Sequence, residues 1–317
     1  MAFLRLDTDN EVPARRSESV TSMTMQYQPR DALASTEWLA DHLDDPELRI
    51  FECTMYLDYL PPGQDAPYRV VSGRADYERD HIRGAGFLDL QAELSDTDSP
   101  PHLRFTMLPA HPLAEVLGHR GIGDENRVVL YSRGRMVWST RVWWMLRAIG
   151  FDAACVLDGG WEKWSKEGRP TSTEEPEFPR AKLTPHPRPE LFVGKDSVCA
   201  AIQDVNTRLV NALESDLHRG ENPRYGRPGR IPGSVNVPSS SLVDPGTNTF
   251  LPAEQAASKF QSLGVDPSRQ TVIYCGGGIA ASLDAFVLHQ LGFEKLSVYD
   301  ASMSEWARDE SLPIETD

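Results

Sequence analysis

One cysteine of the chain stands directly before three glycines, at the end of a short apolar segment. Cys275 follows the segment TVIY, and the five residues after it complete a candidate anion-binding loop. These five residues are Gly276, Gly277, Gly278, Ile279 and Ala280. Glycines allow a tight loop whose backbone N–H groups turn inward, and the start of a following helix adds its positive end. Because such a loop favours the thiolate form of a cysteine, the pattern predicts Cys275 as a nucleophile.

Three other interpretations fit parts of this loop. A buried structural cysteine before a turn is the ordinary interpretation of an isolated cysteine, but the order of strand, cysteine, glycines and helix disfavours it. A cysteine phosphatase requires an arginine six positions after the cysteine, where this chain has Ala281. The spacing Gly276-x-Gly278-x-x-Ala281, with Asp300 further on, also fits a dinucleotide-binding fingerprint. Dinucleotide binding stays a minor alternative. Only 17 residues (301–317) follow Asp300, which are too few to complete a dinucleotide-binding half-sheet, and the corresponding loop at Ser132 lacks the pattern.

The elements around the loop are predicted to alternate between strands and helices. The segments VVLY, ending at Tyr131, and TVIY, ending at Tyr274, are typical of buried parallel strands. The segments STRVWWMLRAIG and ASLDAFVLHQLG have the length of helices and end in glycine, a common helix terminator. We therefore predict an α/β fold in which each parallel sheet is covered by helices on both faces. Ligands of such sheets bind at the carboxyl ends of strands, where Cys275 lies.

The same series of signals occurs twice along the chain. HIRGA matches RIPGS, VVLYS matches TVIYC, and VLDGGWEKW matches VYDASMSEW, always in the same order. We therefore predict a tandem duplication of one α/β unit. A segment rich in proline, threonine and charge separates the copies, and its composition resists helix and sheet alike. The predicted organisation is an N-terminal tail (1–34), an N-terminal domain (35–167), a linker (168–190) and a C-terminal domain (191–317).

The charge of the chain narrows the classes of partner. Thirty-two Lys and Arg residues against 47 Asp and Glu residues give a net charge of −15, which repels nucleic acid and anionic lipid surfaces. No apolar stretch reaches the roughly 18 residues of a membrane span, and the N-terminus lacks the apolar core of a signal peptide. We therefore expect a cytoplasmic protein without nucleic-acid or membrane partners. The four cysteines are far apart, so we expect neither a disulfide framework nor a metal site.

The motifs together resemble those of the two-domain rhodanese-type sulfurtransferases, the thiosulfate and 3-mercaptopyruvate sulfurtransferase family. The resemblance spans about residues 36–310 and rests on HIRGA, RIPGSVNVP, RVWWMLRAIG, VLDGGWEKW, YCGGGIAAS and VYDASMSEW. It implies a catalytic C-terminal domain and a non-catalytic N-terminal domain, in which Ser132 stands at the position of the lost nucleophile. It also implies that Cys275 takes sulfur from a small anionic donor as a persulfide and passes it to a thiol or cyanide-like acceptor. No metal or organic cofactor is required for this reaction.

A second function is compatible with the same residues. In a rhodanese-like binding or sensing module, Cys275 would only carry sulfur to a protein partner or respond to oxidants. Both functions need the cysteine in the loop, so the residues around it do not separate them. Catalytic turnover of a small donor does separate them.

The chain departs from the family pattern at two positions that concern the donor. Members that prefer thiosulfate resemble CRKG at the loop, and members that prefer mercaptopyruvate resemble CGSG. Gly276 and Gly278 indicate the second type, but Gly277 replaces the serine whose hydroxyl could relay a proton. Leu213 stands where the family has an arginine for the anionic group of the donor. The preferred donor therefore stays open between thiosulfate and 3-mercaptopyruvate.

Another cation must replace the missing arginine if an anionic donor binds. The candidates in the segment before the second IPG motif are Arg219, Arg224, Arg227 and Arg230. Together they would form a positive patch, and we predict that Arg227 or Arg230 supplies the charge. His81 and either Arg133 or Arg135 are candidates to reach the cleft from the N-terminal domain. A solvated loop with structural ion pairs is the alternative interpretation of the arginine cluster.

Overall fold

The computed structural model describes residues 32–317, which form two halves of similar architecture. The strands of the N-terminal half are β1 (Leu33–Ala34), β2 (Leu48–Glu52), β3 (Met55–Tyr59), β4 (Tyr68–Ser72), β5 (His81–Ile82), β6 (Ala85–Phe87), β7 (Arg127–Tyr131), β8 (Ala154–Leu157) and β9 (Thr171–Ser172). Its helices are α1 (Thr36–Asp41), α2 (Arg74–Arg79), α3 (Ala110–His119), α4 (Val137–Ala148) and α5 (Gly160–Lys166). The strands of the C-terminal half are β10 (Phe192–Val193), β11 (Thr207–Asn211), β12 (Val235–Asn236), β13 (Gln270–Tyr274) and β14 (Leu296–Tyr299). Its helices are α6 (Lys195–Gln203), α7 (Ser215–Arg219), α8 (Ala253–Gln261), α9 (Ile279–Gln290) and α10 (Ser302–Trp306), and 3-10 turns cover Pro189–Leu191 and Ser239–Leu242.

Each half contains one five-stranded sheet, and the strands follow the same order in both. The order is β1-β8-β7-β2-β6 in the N-terminal half and β10-β14-β13-β11-β12 in the C-terminal half, with every neighbouring pair parallel. The predicted architecture of two tandem α/β domains is confirmed. The strands that lead to Ser132 and Cys275 occupy the same central position in their sheets. The duplication therefore places an equivalent loop at the carboxyl edge of each sheet.

The two halves pack against each other through the helices that follow these central strands. Helices α4 and α9 are buried along nearly their whole length, because each lies between its own sheet and the other helix. Trp143 of α4 meets Phe286 of α9 edge to face, with ring centroids 4.8 Å apart. Both helices carry apolar residues on most of their sides, as this burial requires. Within residues 32–317, no helix combines the length and apolar character that crossing a bilayer requires.

The segments assigned from sequence to a tail and a linker are partly built into the N-terminal half. Leu33 and Ala34 form the edge strand β1 beside β8, while residues 1–31 of the predicted tail lie outside the described residues. In the linker, β9 pairs with β5, and Phe178 packs on the ring of Phe51. The Ala181 N–H also donates to a main-chain oxygen of α3 at 2.9 Å. The linker is therefore an extended strap fastened along the N-terminal domain.

One element was not anticipated from the sequence, a β-hairpin made by β3 and β4. The two strands are antiparallel and pair outside the main sheet, with Tyr59 opposite Tyr68. Its turn reaches the C-terminal half, where the Arg308 side chain donates to the main-chain oxygen of Gln64 at 3.0 Å. The hairpin thus brings side chains of the N-terminal half to the loop at Cys275.

Candidate active site between the two domains

The predicted nucleophile lies at the carboxyl end of β13, where its backbone is held by a serine of the next turn. Cys275 is buried, with 2% of its surface exposed. The N–H groups of Cys275 and Gly278 both donate to the Ser302 hydroxyl oxygen, at 3.0 and 3.3 Å. This hydroxyl in turn donates to the Tyr299 main-chain oxygen at 2.6 Å. Ser302 therefore joins the two ends of the glycine loop to the end of β14.

The loop directs its carbonyl oxygens toward α10 and leaves several N–H groups unpaired. The carbonyl oxygens of Cys275 and Gly276 accept from the N–H groups of Met303 and Ser304 at 3.1 and 2.8 Å. Four loop N–H groups have no hydrogen-bond partner among the described residues, and they belong to Gly276, Gly277, Ile279 and Ala280. Unpaired N–H groups at the start of a helix are available to bind an anion. The loop can therefore hold negative charge next to the cysteine sulfur.

The three glycines of the loop differ in how much room a side chain would have. Gly278 has φ +73°, and a Cβ there would lie 2.7 Å from Asp300 Oδ1 and 2.8 Å from a guanidinium nitrogen of Arg141. At Gly276 a Cβ would overlap the Tyr225 hydroxyl. Gly277 is the least confined, since the nearest atom to its Cβ position is the Tyr68 hydroxyl oxygen at 3.1 Å. Positive φ is therefore needed only at Gly278, and close approach of a tyrosine explains Gly276.

An ion pair between the two halves supports the loop, with a buried arginine from the N-terminal half. Arg141 on α4 pairs with Asp300 at the end of β14, with 2.6 Å between the guanidinium nitrogen and Oδ1. Arg141 also faces the Gly278 carbonyl oxygen at 3.4 Å, and the Met107 N–H donates to Asp300 Oδ2 at 3.1 Å. Asp300 is the acidic residue of the dinucleotide fingerprint. Its use in a contact between the domains disfavours that alternative.

Cys275 opens into a cavity of about 300 Å³ that both halves line. The N-terminal half contributes the hairpin residues Tyr59 and Tyr68 and the start of α4, and the C-terminal half contributes the loop and Tyr225. Two cations line the cavity, Arg135 from the N-terminal half and Arg224 from the C-terminal half. The Arg224 guanidinium lies 4.0 Å from the centre of the Tyr59 ring. The site is therefore a small aromatic cleft with positive charge near a cysteine.

Comparison with known proteins identifies the family of this chain. The rhodanese-like domain matches residues 35–167 and again residues 203–309. The chain belongs to the two-domain rhodanese-type sulfurtransferases. The two matched regions cover the two sheets described above, and the second of them contains Cys275 and its loop.

Relatives of this sulfurtransferase match it over almost their whole length. The 3-mercaptopyruvate sulfurtransferase of Escherichia coli strain K12 is 31% identical over 284 residues, which cover 88% of this chain and 96% of the relative. The sulfur carrier protein TtuD of Thermus thermophilus is 29% identical over 303 residues, covering 92% and 98%. The solved structure of SseA from Escherichia coli, described as a rhodanese fold, superposes with a TM-score of 0.72 at 26% identity, covering 85% of this chain and 98% of SseA.

The arginines predicted from sequence to bind the donor do not line the cavity of this sulfurtransferase. Arg219 forms an exposed ion pair with a glutamate two residues away. Arg227 donates to main-chain oxygens at the end of α10 and beyond it, and Arg230 pairs with Glu315 and Asp317. The guanidinium groups of Arg227 and Arg230 bind the C-terminal segment of the chain. Arg224, from the same predicted cluster, takes the place at the cavity instead.

His81 and Arg133, the candidates from the N-terminal half, are also used inside that half. The two ring nitrogens of His81 face the main-chain oxygens of Tyr77 and Glu174, at 2.8 and 3.1 Å. Arg133 pairs with the buried carboxylate of Glu52, with 2.7 Å between Nε and Oε1. Only Arg135 of the predicted N-terminal candidates lines the cavity. The other three cysteines lie outside the cavity lining as described, and burial together with the Glu52 charge raises the pKa of the Cys53 thiol well above its ordinary value.

Among the residues of the site that were not predicted from the sequence are Tyr68, Arg141, Tyr225 and Ser302. The sequence contained a signal for Ser302, because the other copy has Gly160 at the equivalent position. A serine that replaces a glycine in a repeat marks a backbone position where the side chain needs a reason to be present. Arg141 had a weaker signal, since a charged residue inside the apolar stretch RVWWML must find a partner when buried. The two tyrosines had none. They come from a hairpin and a loop whose places depend on contacts far apart in the chain.

Proposed function

We propose that this protein transfers sulfane sulfur from a small anionic donor, 3-mercaptopyruvate or thiosulfate, to a thiol or cyanide-like acceptor through a persulfide on Cys275. The observation that carries the proposal is the position of Cys275, which lines a small cleft beside four backbone N–H groups that have no hydrogen-bond partner within residues 32–317. The Escherichia coli relative, a 3-mercaptopyruvate sulfurtransferase, supports the same chemistry.

The first step loads sulfur onto the enzyme. The Cys275 thiolate attacks the outer sulfur of the donor and forms an S–S bond, while the bond between that sulfur and the rest of the donor breaks. The electron pair of the broken bond leaves with pyruvate or sulfite. The terminal sulfur of the persulfide carries negative charge, which the N–H groups of the loop stabilise as the charge develops.

The second step returns the cysteine. A thiolate or cyanide acceptor attacks the terminal sulfur of the persulfide, and the S–S bond breaks with its electron pair on Cys275. The acceptor leaves with one added sulfur, and the thiolate is ready for another donor. Because Cys275 is buried and the cleft holds about 300 Å³, small acceptors fit the site as it stands.

The donor must be held by a cation other than the one that the family pattern provides. Leu213 lines the cavity and offers no charge, whereas Arg224 lines it from the same domain. The Tyr59 ring lies against the guanidinium and restricts its freedom. We therefore assign the carboxylate or sulfonate group of the donor to Arg224, with Arg135 as a second, more exposed cation.

A sulfur-carrier role is the second candidate, and the relative TtuD favours it. In that role Cys275 would be loaded with sulfur by another reaction and unloaded by a protein partner. The buried position of the cysteine opposes this role, because a large partner would reach the sulfur only after the cleft opens.

The test of the proposal joins mass spectrometry with steady-state kinetics. Incubation of the protein with 3-mercaptopyruvate or thiosulfate should add about 32 Da at Cys275, and cyanide or a thiol should remove it with multiple turnovers. Sulfur found on Cys53, Cys155 or Cys199 instead would contradict the assignment. A protein that is loaded once but does not turn over with small acceptors would favour the carrier role.

A further inference from the structure

We propose that Tyr68, which reaches the site from the N-terminal domain, donates the proton that the departing carbon of 3-mercaptopyruvate needs. The inference rests on the proposed function and adds to it a catalytic residue that depends on the hairpin. It concerns only donors whose leaving group is carbon.

The hydroxyl of Tyr68 faces the loop and has no hydrogen-bond partner among the described residues. Tyr68 is 5% exposed and lines the cavity of Cys275. Its hydroxyl oxygen lies 3.1 Å from the position that a Cβ of Gly277 would occupy. The hydroxyl oxygen is open to the cavity and is not sealed in the core, so a molecule bound there can accept its hydrogen bond. The Tyr68 hydroxyl is therefore placed to meet a molecule bound over the loop.

The ring of Tyr68 is held so that this hydroxyl keeps its direction. Its centroid lies 6.1 Å from that of Phe105 and 6.2 Å from that of Tyr59, its partner across the hairpin. The other buried tyrosine of the cavity, Tyr225, packs against Gly276, and the Arg224 side chain interacts with it. Tyr68 thus provides the buried phenol at Gly277, where the loop itself has no hydroxyl.

The chemistry of the two donors differs in the need for a proton. When the thiolate takes sulfur from 3-mercaptopyruvate, the electron pair of the C–S bond stays on carbon as the enolate of pyruvate. That carbon must gain a proton to become the methyl group of pyruvate. When the thiolate takes sulfur from thiosulfate, sulfite leaves with the electron pair on sulfur and needs no proton on carbon. A proton donor in the site therefore serves only the first donor.

The proposed step balances without a further reactant. Cys275 forms the S–S bond as the C–S bond breaks, so the two sulfurs are oxidised to the persulfide and the carbon is reduced. The carbon takes the Tyr68 proton. The persulfide S–H, which came from the thiol of the donor, then returns a proton to the tyrosinate. The products are the Cys275 persulfide anion, pyruvate and neutral Tyr68.

The environment keeps Tyr68 protonated before the step. Burial raises the pKa of the Tyr68 hydroxyl well above its ordinary value, and the charges of Tyr225 and Cys275 raise it further, while Arg141 opposes the rise. A phenol in this state carries its proton at neutral pH. It also regains the proton readily from the more acidic persulfide.

The experiment compares single-turnover loading of Cys275 by the two donors in the full-length protein and in Tyr68→Phe. With 3-mercaptopyruvate, the maximal loading rate should fall on the order of 10²-fold, because the hydroxyl acts in the transition state. The donor concentration that gives half of this rate should change less. The ratio of the two donors' rates should shift toward thiosulfate by the same order. The matched control is Tyr56→Phe, which removes a phenol hydroxyl of the same hairpin that lies outside the cavity and contacts Asp76.

Each other result overturns a defined part of the argument. An equal loss with both donors shows that Tyr68 only positions the loop, and no loss with 3-mercaptopyruvate shows that another group gives the proton. A parent protein that loads from thiosulfate but not from 3-mercaptopyruvate overturns the inference and leaves the proposed function standing. A parent that loads from neither overturns the proposed function itself. If Tyr68→Phe fails to fold, Tyr68→3-fluorotyrosine keeps the ring, and a rate unchanged with 3-mercaptopyruvate at this more acidic phenol overturns the inference.

Discussion

Each of the two domains presents an equivalent loop at the carboxyl edge of its own sheet, and only the C-terminal domain keeps this loop open. After β7, Ser132 donates its hydroxyl to the Arg135 main-chain oxygen at 2.8 Å, and Arg133 turns back to pair with the buried Glu52. Glycine replaces the arginine after β13, so the N–H groups around Cys275 have no side chain of the loop over them. The fold therefore places a loop at the end of the central strand in both domains. Only the loop at Cys275 can bind a ligand, because glycine stands there in place of the arginine.

A second difference lies in the turn below each loop. Gly160 and Ser302 occupy equivalent positions and both have φ +51°. This conformation is ordinary for glycine and unfavourable for serine. Ser302 keeps it while its hydroxyl accepts from Cys275 and Gly278 and donates to Tyr299. The comparison shows a backbone shape that is shared by both copies and a hydroxyl that only the open loop uses.

The largest expected effect comes from exchanging the residues at the two nucleophile positions. Cys275→Ser should abolish sulfur transfer with every donor, because a serine hydroxyl forms no persulfide. Adding Ser132→Cys to this variant should restore nothing, since the first loop is filled by Arg133. The measurement is donor turnover together with the mass of each cysteine peptide. Recovery of transfer at position 132 would show that the ion pair does not close the first loop.

The next effect distinguishes two glycines with positive φ, Gly278 in the loop at Cys275 and Gly134 in the loop at Ser132. Gly278→Ala should lower turnover on the order of 10²-fold, because the new Cβ meets Asp300 and Arg141 and displaces the loop. Gly134→Ala introduces the same backbone strain at φ +66° in open space. It should cost about 1–2 kcal/mol of stability and leave turnover unchanged. Turnover and thermal unfolding of both variants test the comparison, and similar turnover in the two would contradict it.

A moderate effect is expected from the cation at the cavity. Arg224→Gln should raise the KM for an anionic donor roughly tenfold to a hundredfold, since one charge-assisted contact contributes about 1.5–3 kcal/mol. The matched variant is Arg219→Gln, which removes an arginine of the same cluster that pairs with an exposed glutamate. Steady-state kinetics with both donors decide the matter. A larger KM change in Arg219→Gln than in Arg224→Gln would contradict the assignment of the donor to Arg224 and would place the donor near Arg219, outside the cavity.

The smallest effect concerns the sixth residue of the two equivalent interface helices. It is Val142 in α4 and Asp284 in α9, and neither carboxyl oxygen of Asp284 has a hydrogen-bond partner among the described residues. Burial raises the pKa of Asp284 well above its ordinary value. The folded protein therefore binds one proton more than the unfolded chain, once the pH exceeds the unfolded pKa of about 4.

This titration has a definite sign. The contribution of Asp284 to stability is complete below the unfolded pKa and is lost as the pH rises toward the folded pKa, by up to about 1.4 kcal/mol per pH unit. Asp284→Asn removes this loss, so the variant should gain stability relative to the parent as the pH rises. Denaturant unfolding at a series of pH values provides the free energies. Parallel pH curves for the two proteins would show that Asp284 is ionised in the folded state.

The sequence by itself determined the features whose residues are neighbours along the chain. The β-branched strand segments, the glycine-terminated helices and the repeated order of motifs predicted both α/β domains, because the period of apolar residues reflects burial on each element. The loop after Cys275 was predicted for the same reason, since the cysteine, the glycines and the helix start are consecutive. The topology followed from the repeat, as parallel strands need helical crossovers.

Only the tertiary structure decided which side chains surround the nucleophile. Arg224 and Arg227 are three residues apart and alike in sequence, yet one lines the cavity while the other binds main-chain oxygens after α10. Tyr68 and Arg141 reach the C-terminal loop from the other domain, across a boundary that no local pattern describes. The cavity exists only where the two domains meet. Its lining therefore depends on the packing of α4 on α9 and on the reach of one hairpin, and these are contacts between residues far apart in the sequence.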